Sequence, residues 1–264
     1  MYFSDSSTNG ISLAKDPVVV KFKGKYLMYY SRKASADSNN GMLGWNIGIA
    51  QSTDLFNWNK IGEIKPAAGY EQKGLCAPGA ILKDGKIHLF YQTYGNGPKD
   101  AICHAISTDG INFTRDPSNP IFNPTGKWTN GRAIDAEVYF FQNKYFLYFA
   151  TRDSSGKIQK QGVAVANAQT DFNKSTWKQA VDSAILKPSL PWEGDCIEGA
   201  TIIKRNNKLY MFYAGNYNNA PQQIGLAVST DGKVWKRLYC TGPQNICRST
   251  ATSTPPEKGP YIIK

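Results

Sequence analysis

The chain has 264 residues, 41% hydrophobic and 19% charged. That is enough apolar side chain for one sizeable core and too much for a disordered chain. Thirty-one Lys and Arg against 20 Asp and Glu give a net charge of +11. The basic residues are dispersed without Lys/Arg blocks, so the charge reads as a solvated surface, and neither nucleic acid nor a membrane is expected as partner. No apolar run approaches the roughly 18 residues of a membrane helix. Met1–Lys15 lack a basic start followed by an apolar stretch, so no export signal is visible.

Self-similarity organises the whole chain. The segments Asp16–Tyr30, Ala77–Tyr91, Asp135–Phe149 and Glu198–Tyr213 share one pattern. Each runs from a short apolar strand through a Gly/Asn–Lys turn into a strand dense in aromatics. The fourth is one residue longer before its turn. A fifth copy opens at Gly259-Pro-Tyr-Ile-Ile-Lys264, where the sequence stops. A second hairpin follows each of the four: Ile47–Asp54 leads to Trp58, Ile102–Asp109 to Phe113, Gly162–Asp171 to Trp177 and Ile224–Asp231 to Trp235. Trp58 and Trp235 repeat with the turns and are expected to pack between blades. Gly, Asn and Asp in the turns supply the positive φ of tight hairpins.

Four short strands recurring about every sixty residues describe the blade of a β-propeller. The expected fold is all-β: a five-bladed β-propeller over residues 1–264 as one domain, with blades starting near 16, 77, 135, 198 and 259. The fifth blade is incomplete, with at most one further strand available from Met1–Ser12. The five cysteines form no CxxC pair; Cys240 and Cys247 are close enough in sequence to bridge, though spacing alone does not show it. His88 and His104 fall inside strands of the second repeat and are expected to be structural.

The first position of each repeat reads Asp16, Ala77, Asp135, Glu198 and Gly259. The innermost strand of a blade lines the axis, so Asp16, Asp135 and Glu198 are expected to converge on one pocket. Carboxylates packed that closely are costly to bury and push one another's pKa values apart, a cost commonly tolerated for function. Calcium held by the three is the sharpest structural rival, but no loop of alternating Asp and Asn supports it. No metal site and no required cofactor are therefore expected.

The strand starts Lys15-Asp16-Pro17, Arg132-Ala-Ile-Asp135-Ala and Cys196-Ile-Glu198-Gly199, with Ala77-Pro78 opening the second repeat, together resemble glycoside hydrolase family 43. The resemblance runs from Asp16 to Lys264. It departs at Cys76-Ala77-Pro78-Gly79, where the family often has Trp-Ala-Pro-Asp, and at Gly259-Pro260-Tyr261, where many members carry an axial histidine. It implies a five-bladed propeller and an inverting glycosidase acting on arabinose- and xylose-containing polysaccharides. By the same resemblance Asp16 is the general base, Glu198 the general acid, and Asp135 the carboxylate that keeps Glu198 protonated and oriented.

Sugar binding calls for aromatic platforms and hydrogen-bonding groups beside such a site; the candidates are Trp45, Trp128, Arg132, Trp192 and Tyr217. Arg132 is expected to pair with Asp135 or touch a sugar hydroxyl. The leading activity is release of terminal α-L-arabinofuranosyl units. A β-D-xylosidase, a β-D-galactofuranosidase and a silent carbohydrate-binding propeller are the alternatives. The expected partner is an oligosaccharide or polysaccharide, the expected state a monomer, and the expected location extracytoplasmic.

Overall fold

A computed structural model of the chain describes residues 3–7, 12–34, 44–67 and 69–238. Within these it forms four antiparallel four-stranded sheets, each in sequential strand order. Blade 1 holds β1 (Lys15–Phe22), β2 (Lys25–Lys33), β3 (Trp45–Ser52) and β4 (Asn59–Ile64). Blade 2 holds β5 (Leu75–Lys83), β6 (Lys86–Thr93), β7 (Ile102–Ser107) and β8 (Thr114–Arg115). Blade 3 holds β9 (Ile134–Phe141), β10 (Lys144–Arg152), β11 (Gln159–Asn167) and β12 (Lys178–Gln179). Blade 4 holds β13 (Ile197–Arg205), β14 (Lys208–Gly215), β15 (Gln223–Ser229) and β16 (Lys236–Arg237). The chain is an all-β propeller. The fifth copy at Gly259 and the Cys240/Cys247 pair lie outside the described residues. Residues 3–7 form no strand, but Phe3 packs edge-on against Tyr30 and Asp5 accepts the Tyr30 hydroxyl at 2.9 Å.

The turn chemistry explains the first hairpin of each blade. Lys23-Gly24, Asp84-Gly85, Gln142-Asn143 and Asn206-Asn207 all carry positive φ at both residues. That twist matches two antiparallel strands joined by a minimal loop. The Ser-Thr-Asp turns close the second hairpin by self-capping. Ser52 Oγ donates to Asp54, whose carboxylate accepts the Phe56 and Asn57 N–H groups at 2.8 Å. Ser107 with Asp109 and Ser229 with Asp231 repeat the arrangement.

The cores lie between blades. One cluster joins Val18, Leu27, Tyr29 and Ile47 of blade 1 to Leu75, Leu89 and Tyr91 of blade 2. A second joins Phe90 and Ile102 to Val138, Leu147 and Phe149, and a third joins Phe146 and Tyr148 to Ile202, Met211 and Trp235. Blades 1 to 3 bury both faces of their sheets, so β2, β6 and β10 read as nearly continuous apolar runs, whereas β14 and β15 of blade 4 alternate buried and half-buried residues. Polar links run the same way: Tyr29 donates to Gly110 O and Tyr148 to Gly232 O, each in the next blade's turn. Trp235 packs edge-on against Tyr148, the inter-blade role its repetition predicted. Trp58 instead packs in the blade 1 cluster with Tyr26, Leu55 and Phe3.

His88 and His104 sit in the wall between blades 2 and 3. His88 Nδ1 lies 3.0 Å from His104 Nε2, and His104 Nδ1 lies 3.1 Å from Asp116. Burial, joined by the second ring, pushes His88 down to about 4, so this chain of rings is held neutral and structural.

Blades 2 and 4 each bury a glutamate from the short 3-10 turn ahead of their first strand. Glu193 accepts Arg237 Nε at 2.8 Å, Arg237 Nη2 at 3.0 Å, the Tyr213 hydroxyl at 2.8 Å and the Ser189 and Leu190 N–H groups. Glu71 repeats this with Arg115, Tyr91 and the Ala67 N–H. Both carboxylates are fully buried. Removing one partner leaves a buried charge uncompensated, at a cost of about 3–5 kcal/mol. Glu193→Ala is expected to lower the denaturant midpoint accordingly with little change in slope; an unaltered midpoint would mean the pair is dispensable.

Candidate active site

The inner strands β1, β5, β9 and β13 stand side by side around the axis, and each is broken by a bulge near its start. At the bulge the backbone enters the left-handed region: Asp16 at φ 51, Ala77 at φ 48, Asp135 at φ 55 and Gly199 at φ 61. A non-glycine side chain there is strained, and asparagine and aspartate tolerate it best. In blades 2 and 3 the N–H freed by the bulge is taken by the preceding blade. Ala77 N–H donates to Ser31 Oγ at 2.7 Å and Asp135 N–H to Gln92 Oε1 at 2.8 Å. Ser31 and Gln92 occupy matching places on β2 and β6, opposite Lys15 and Cys76.

This register corrects the repeat alignment at blade 4. Reading the sequence places Glu198 level with Asp16 and Asp135; the structure places Gly199 there, and Glu198 level with Lys15, Cys76 and Ile134. The left-handed position selects the glycine. It also removes the apparent extra residue, since Asp16, Ala77, Asp135 and Gly199 precede Lys25, Lys86, Lys144 and Lys208 by the same interval.

Asp16, Asp135 and Glu198 all line one cavity of about 900 Å³. Asp16 accepts the Ser31 hydroxyl at 2.9 Å and pairs with Lys15 Nζ at 3.1 Å. Burial disfavours the Lys15 ammonium, but Asp16, Asp135 and Glu198 together outweigh it and hold its pKa above the usual lysine value. Burial and the negative charges of Glu198 and Asp16 push Asp135 up to about 7, against the pull of Lys15 and Arg132. Asp135 is thus the carboxyl of this cavity that burial and its acidic neighbours hold protonated toward neutral pH.

Glu198 is gripped by two amides: Gln222 Nε2 donates to one oxygen at 2.9 Å and Gln159 Nε2 to the other. Gln159 is itself oriented, since its Oε1 accepts Arg152 Nε at 3.3 Å and Arg132 Nη1 at 3.4 Å. Cys76 and Cys196 lie close by. Burial, with neighbouring carboxylates, pushes both thiols up, so they stay protonated and are not nucleophiles. Among the described residues no group of three or more His, Cys, Asp or Glu is placed to hold a metal ion.

The family model for Glycosyl hydrolases family 43 matches residues 8–244. The chain belongs to this family. Its fold is similar to several solved structures. A thermostable family-43 glycoside hydrolase shares 23% identity at TM-score 0.65, over 91% of this chain and 76% of that one. An endo-1,4-beta-xylanase from Bacteroides thetaiotaomicron shares 24% identity at TM-score 0.62, over 87% and 73%. An alpha-L-arabinofuranosidase from Lactobacillus brevis shares 17% identity at TM-score 0.63, over 85% and 72%.

Against this family-43 cavity the expected sugar-binding residues divide. Trp45, Arg132 and Tyr217 line it. Trp128 and Trp192 do not. Trp128 packs on Phe149 with its ring edge against Gly162. Trp192 stacks on Tyr213 at 6.0 Å and covers Gly215. Both tryptophans fill the space above a strand glycine, a core role that their irregular sequence setting hid. Arg132 lies 3.5 Å from Asp100 and bonds Gln159; its charge acts on Asp135 without pairing with it.

Sequence reading missed Lys15, Ser31, Gln92, Tyr94, Arg152, Gln159 and Gln222. Only Lys15, beside Asp16, carried a local signal. Tyr94 meets Trp45 edge-on at 6.3 Å, forming the aromatic side of the cavity.

The raised Asp135 sets a pH test. Between the ordinary aspartate value and about 7 the folded chain binds a proton that the unfolded chain has released. Stability from this group therefore falls as pH rises through that window and levels off above it. Asp135→Asn removes the titration, so its stability relative to wild type should rise from about pH 4 to about pH 7 and then flatten, as read by denaturant unfolding at stepped pH. A difference independent of pH would show that Asp135 titrates in the ordinary range.

Proposed function

We propose that the chain is an inverting, exo-acting glycosidase that releases terminal α-L-arabinofuranosyl units from plant-type polysaccharides or oligosaccharides. The observation that carries this reading is the convergence of Asp16, Asp135 and Glu198, from three different blades, on one cavity. Inversion needs a base and an acid roughly 6.5–9.5 Å apart, so that a water fits behind the anomeric carbon. Strands β1 and β13 belong to separate blades, which allows such a gap.

Asp16, steadied by Ser31 and Lys15, takes the proton of the attacking water. Glu198 delivers a proton to the leaving glycosidic oxygen. Asp135, pushed up to about 7, is the neighbouring carboxyl that carries a proton close to neutral pH and modulates this transfer. Gln159 and Gln222 fix the Glu198 carboxyl plane so that transfer occurs in one direction. These roles call for no cofactor. Trp45 and Tyr94 offer an apolar wall to a furanose ring, and the cavity has room for a terminal sugar and its leaving group.

Acid and base are separable by leaving group. With p-nitrophenyl α-L-arabinofuranoside the departing phenolate needs little help, so Glu198→Ala should lose much less rate than with an arabino-oligosaccharide. On the oligosaccharide the loss should be about 10²–10⁴-fold. Asp16→Asn should lose a similar factor on both. A Glu198→Ala variant with full activity on the oligosaccharide would end the assignment. Parallel assays with p-nitrophenyl β-D-xyloside and β-D-galactofuranoside identify the sugar. Proton NMR of the first product should show the β-anomer of arabinofuranose; an initial α-anomer would mean retention and overturn the inverting mechanism. Oligosaccharide binding without hydrolysis of any of these would indicate a carbohydrate-binding propeller.

A further inference from the structure

Beside the catalytic cavity lies a second one of about 440 Å³, whose lining includes Tyr94, Asp100, Asn130, Arg132, Arg152 and Gly156. Tyr94, Arg132 and Arg152 line both cavities, so the two share a wall. That wall carries two guanidinium groups, and they are not equally compensated. Arg132 lies against the buried Asp100 carboxylate at 3.5 Å. Asp100 is otherwise filled by the Asn96 N–H at 3.0 Å and the Thr93 hydroxyl at 3.3 Å.

Arg152 has only neutral acceptors. Its Nε donates to Gln159 Oε1 and its Nη1 to Gly156 O at 3.4 Å, while the guanidinium lies 5.4 Å from the centre of the Tyr217 ring. Among the described residues no carboxylate stands within ion-pair distance of Arg152. The adjacent Asp153 is engaged elsewhere, accepting the Lys157 and Ile158 N–H groups and the Ser155 hydroxyl. The shared wall therefore holds one positive charge in excess, partly buried, where its field is weakly screened.

A planar guanidinium suits a carboxylate better than it suits a neutral hydroxyl. Carbohydrate polymers carry carboxylates as uronic acid residues. We propose that the second cavity is a subsite for the carboxylate of a uronic acid residue, held by Arg152 with Arg132 beside it, next to the sugar that occupies the catalytic cavity. The placement keeps the anion on the wall formed by the two arginines and away from the face where Asp16, Asp135 and Glu198 gather. The +11 net charge would favour encounter with such a polymer. This inference rests on the glycosidase reading for its biological sense, but its test reads binding alone.

The test is calorimetric titration of the Glu198→Gln variant, which should bind without turning over. The probes are a glucuronic-acid-bearing xylotriose and trigalacturonate, each against its own methyl ester. Esterification removes the charge and changes the size little. At least one acid should bind about 10- to 100-fold more tightly than its ester, the range of one charge-assisted hydrogen-bonded pair. Adding Arg152→Gln should bring the acid-to-ester affinity ratio to about 1, whatever it does to the affinity common to both ligands, whereas Arg152→Lys should keep part of the preference.

Equal affinity of acid and ester for both probes, no measurable binding of either acid, or a preference that survives Arg152→Gln would overturn the proposal. Tighter binding of a sulfated xylotriose than of both acids would overturn the carboxylate assignment. An acid preference in a protein that hydrolyses no glycoside would sink the catalytic reading and leave the subsite. Hydrolysis without any acid preference would do the reverse.

Discussion

The site depends on a backbone constraint repeated around the axis: one residue of each inner strand is forced into the left-handed region. That conformation costs about 1–2 kcal/mol for a residue with a Cβ. In blades 2 and 3 side chains of the preceding blade, Ser31 and Gln92, hold it by accepting the N–H groups of Ala77 and Asp135. The strain and the inter-blade bond come together, so blade position and side-chain direction are set at the same point. Asp16 and Asp135 stand on it directly. Glu198 stands one residue ahead of it, because at blade 4 the strained position belongs to Gly199.

A one-residue offset changes the surroundings of a carboxylate. Asp135 is held on a strained backbone between two other acids, and burial alone already penalises its charge. Glu198 has a longer side chain and two amide donors, with Gln159 oriented by a pair of arginines. Asp16 has the ammonium of its own neighbour and a hydroxyl from the adjacent strand. Three acids in one cavity are therefore given three distinct settings, and burial with its acidic neighbours singles out Asp135 as the one pushed up to about 7.

Legibility in the sequence depended on which interactions are local. The hairpins were legible because their turns need positive φ and so display Gly, Asn and Asp. The blade count within the described residues was legible because apolar strands and Ser-Thr-Asp turns recur together. Asp16, Asp135 and Glu198 could be singled out because the repeat brings strand starts to one axis. The bulge register was not read, although the constant interval to Lys25, Lys86, Lys144 and Lys208 carried it. Gln159 and Gln222 were invisible because an amide acquires its meaning only from what it touches across blades. Trp128 and Trp192 misled for the converse reason: irregular sequence around a tryptophan suggests exposure, yet each covers a glycine on a neighbouring strand, Gly162 or Gly215.

The arginines connect these levels. Arg132 and Arg152 leave different segments of blade 3, one just before β9 and one at the end of β10, and meet at Gln159. Through that amide they orient Glu198, and through space Arg132 moderates Asp135. They stand across the cavity from the gathered carboxylates; Arg132 has Asp100 as its ion-pair partner, and Arg152 has no ion-pair partner among the described residues at the wall shared with the second cavity. An electrostatic arrangement that serves the acid pair thus leaves a cationic surface at its edge. A substrate bearing a negative charge there would complete the compensation that the described protein groups leave unfinished.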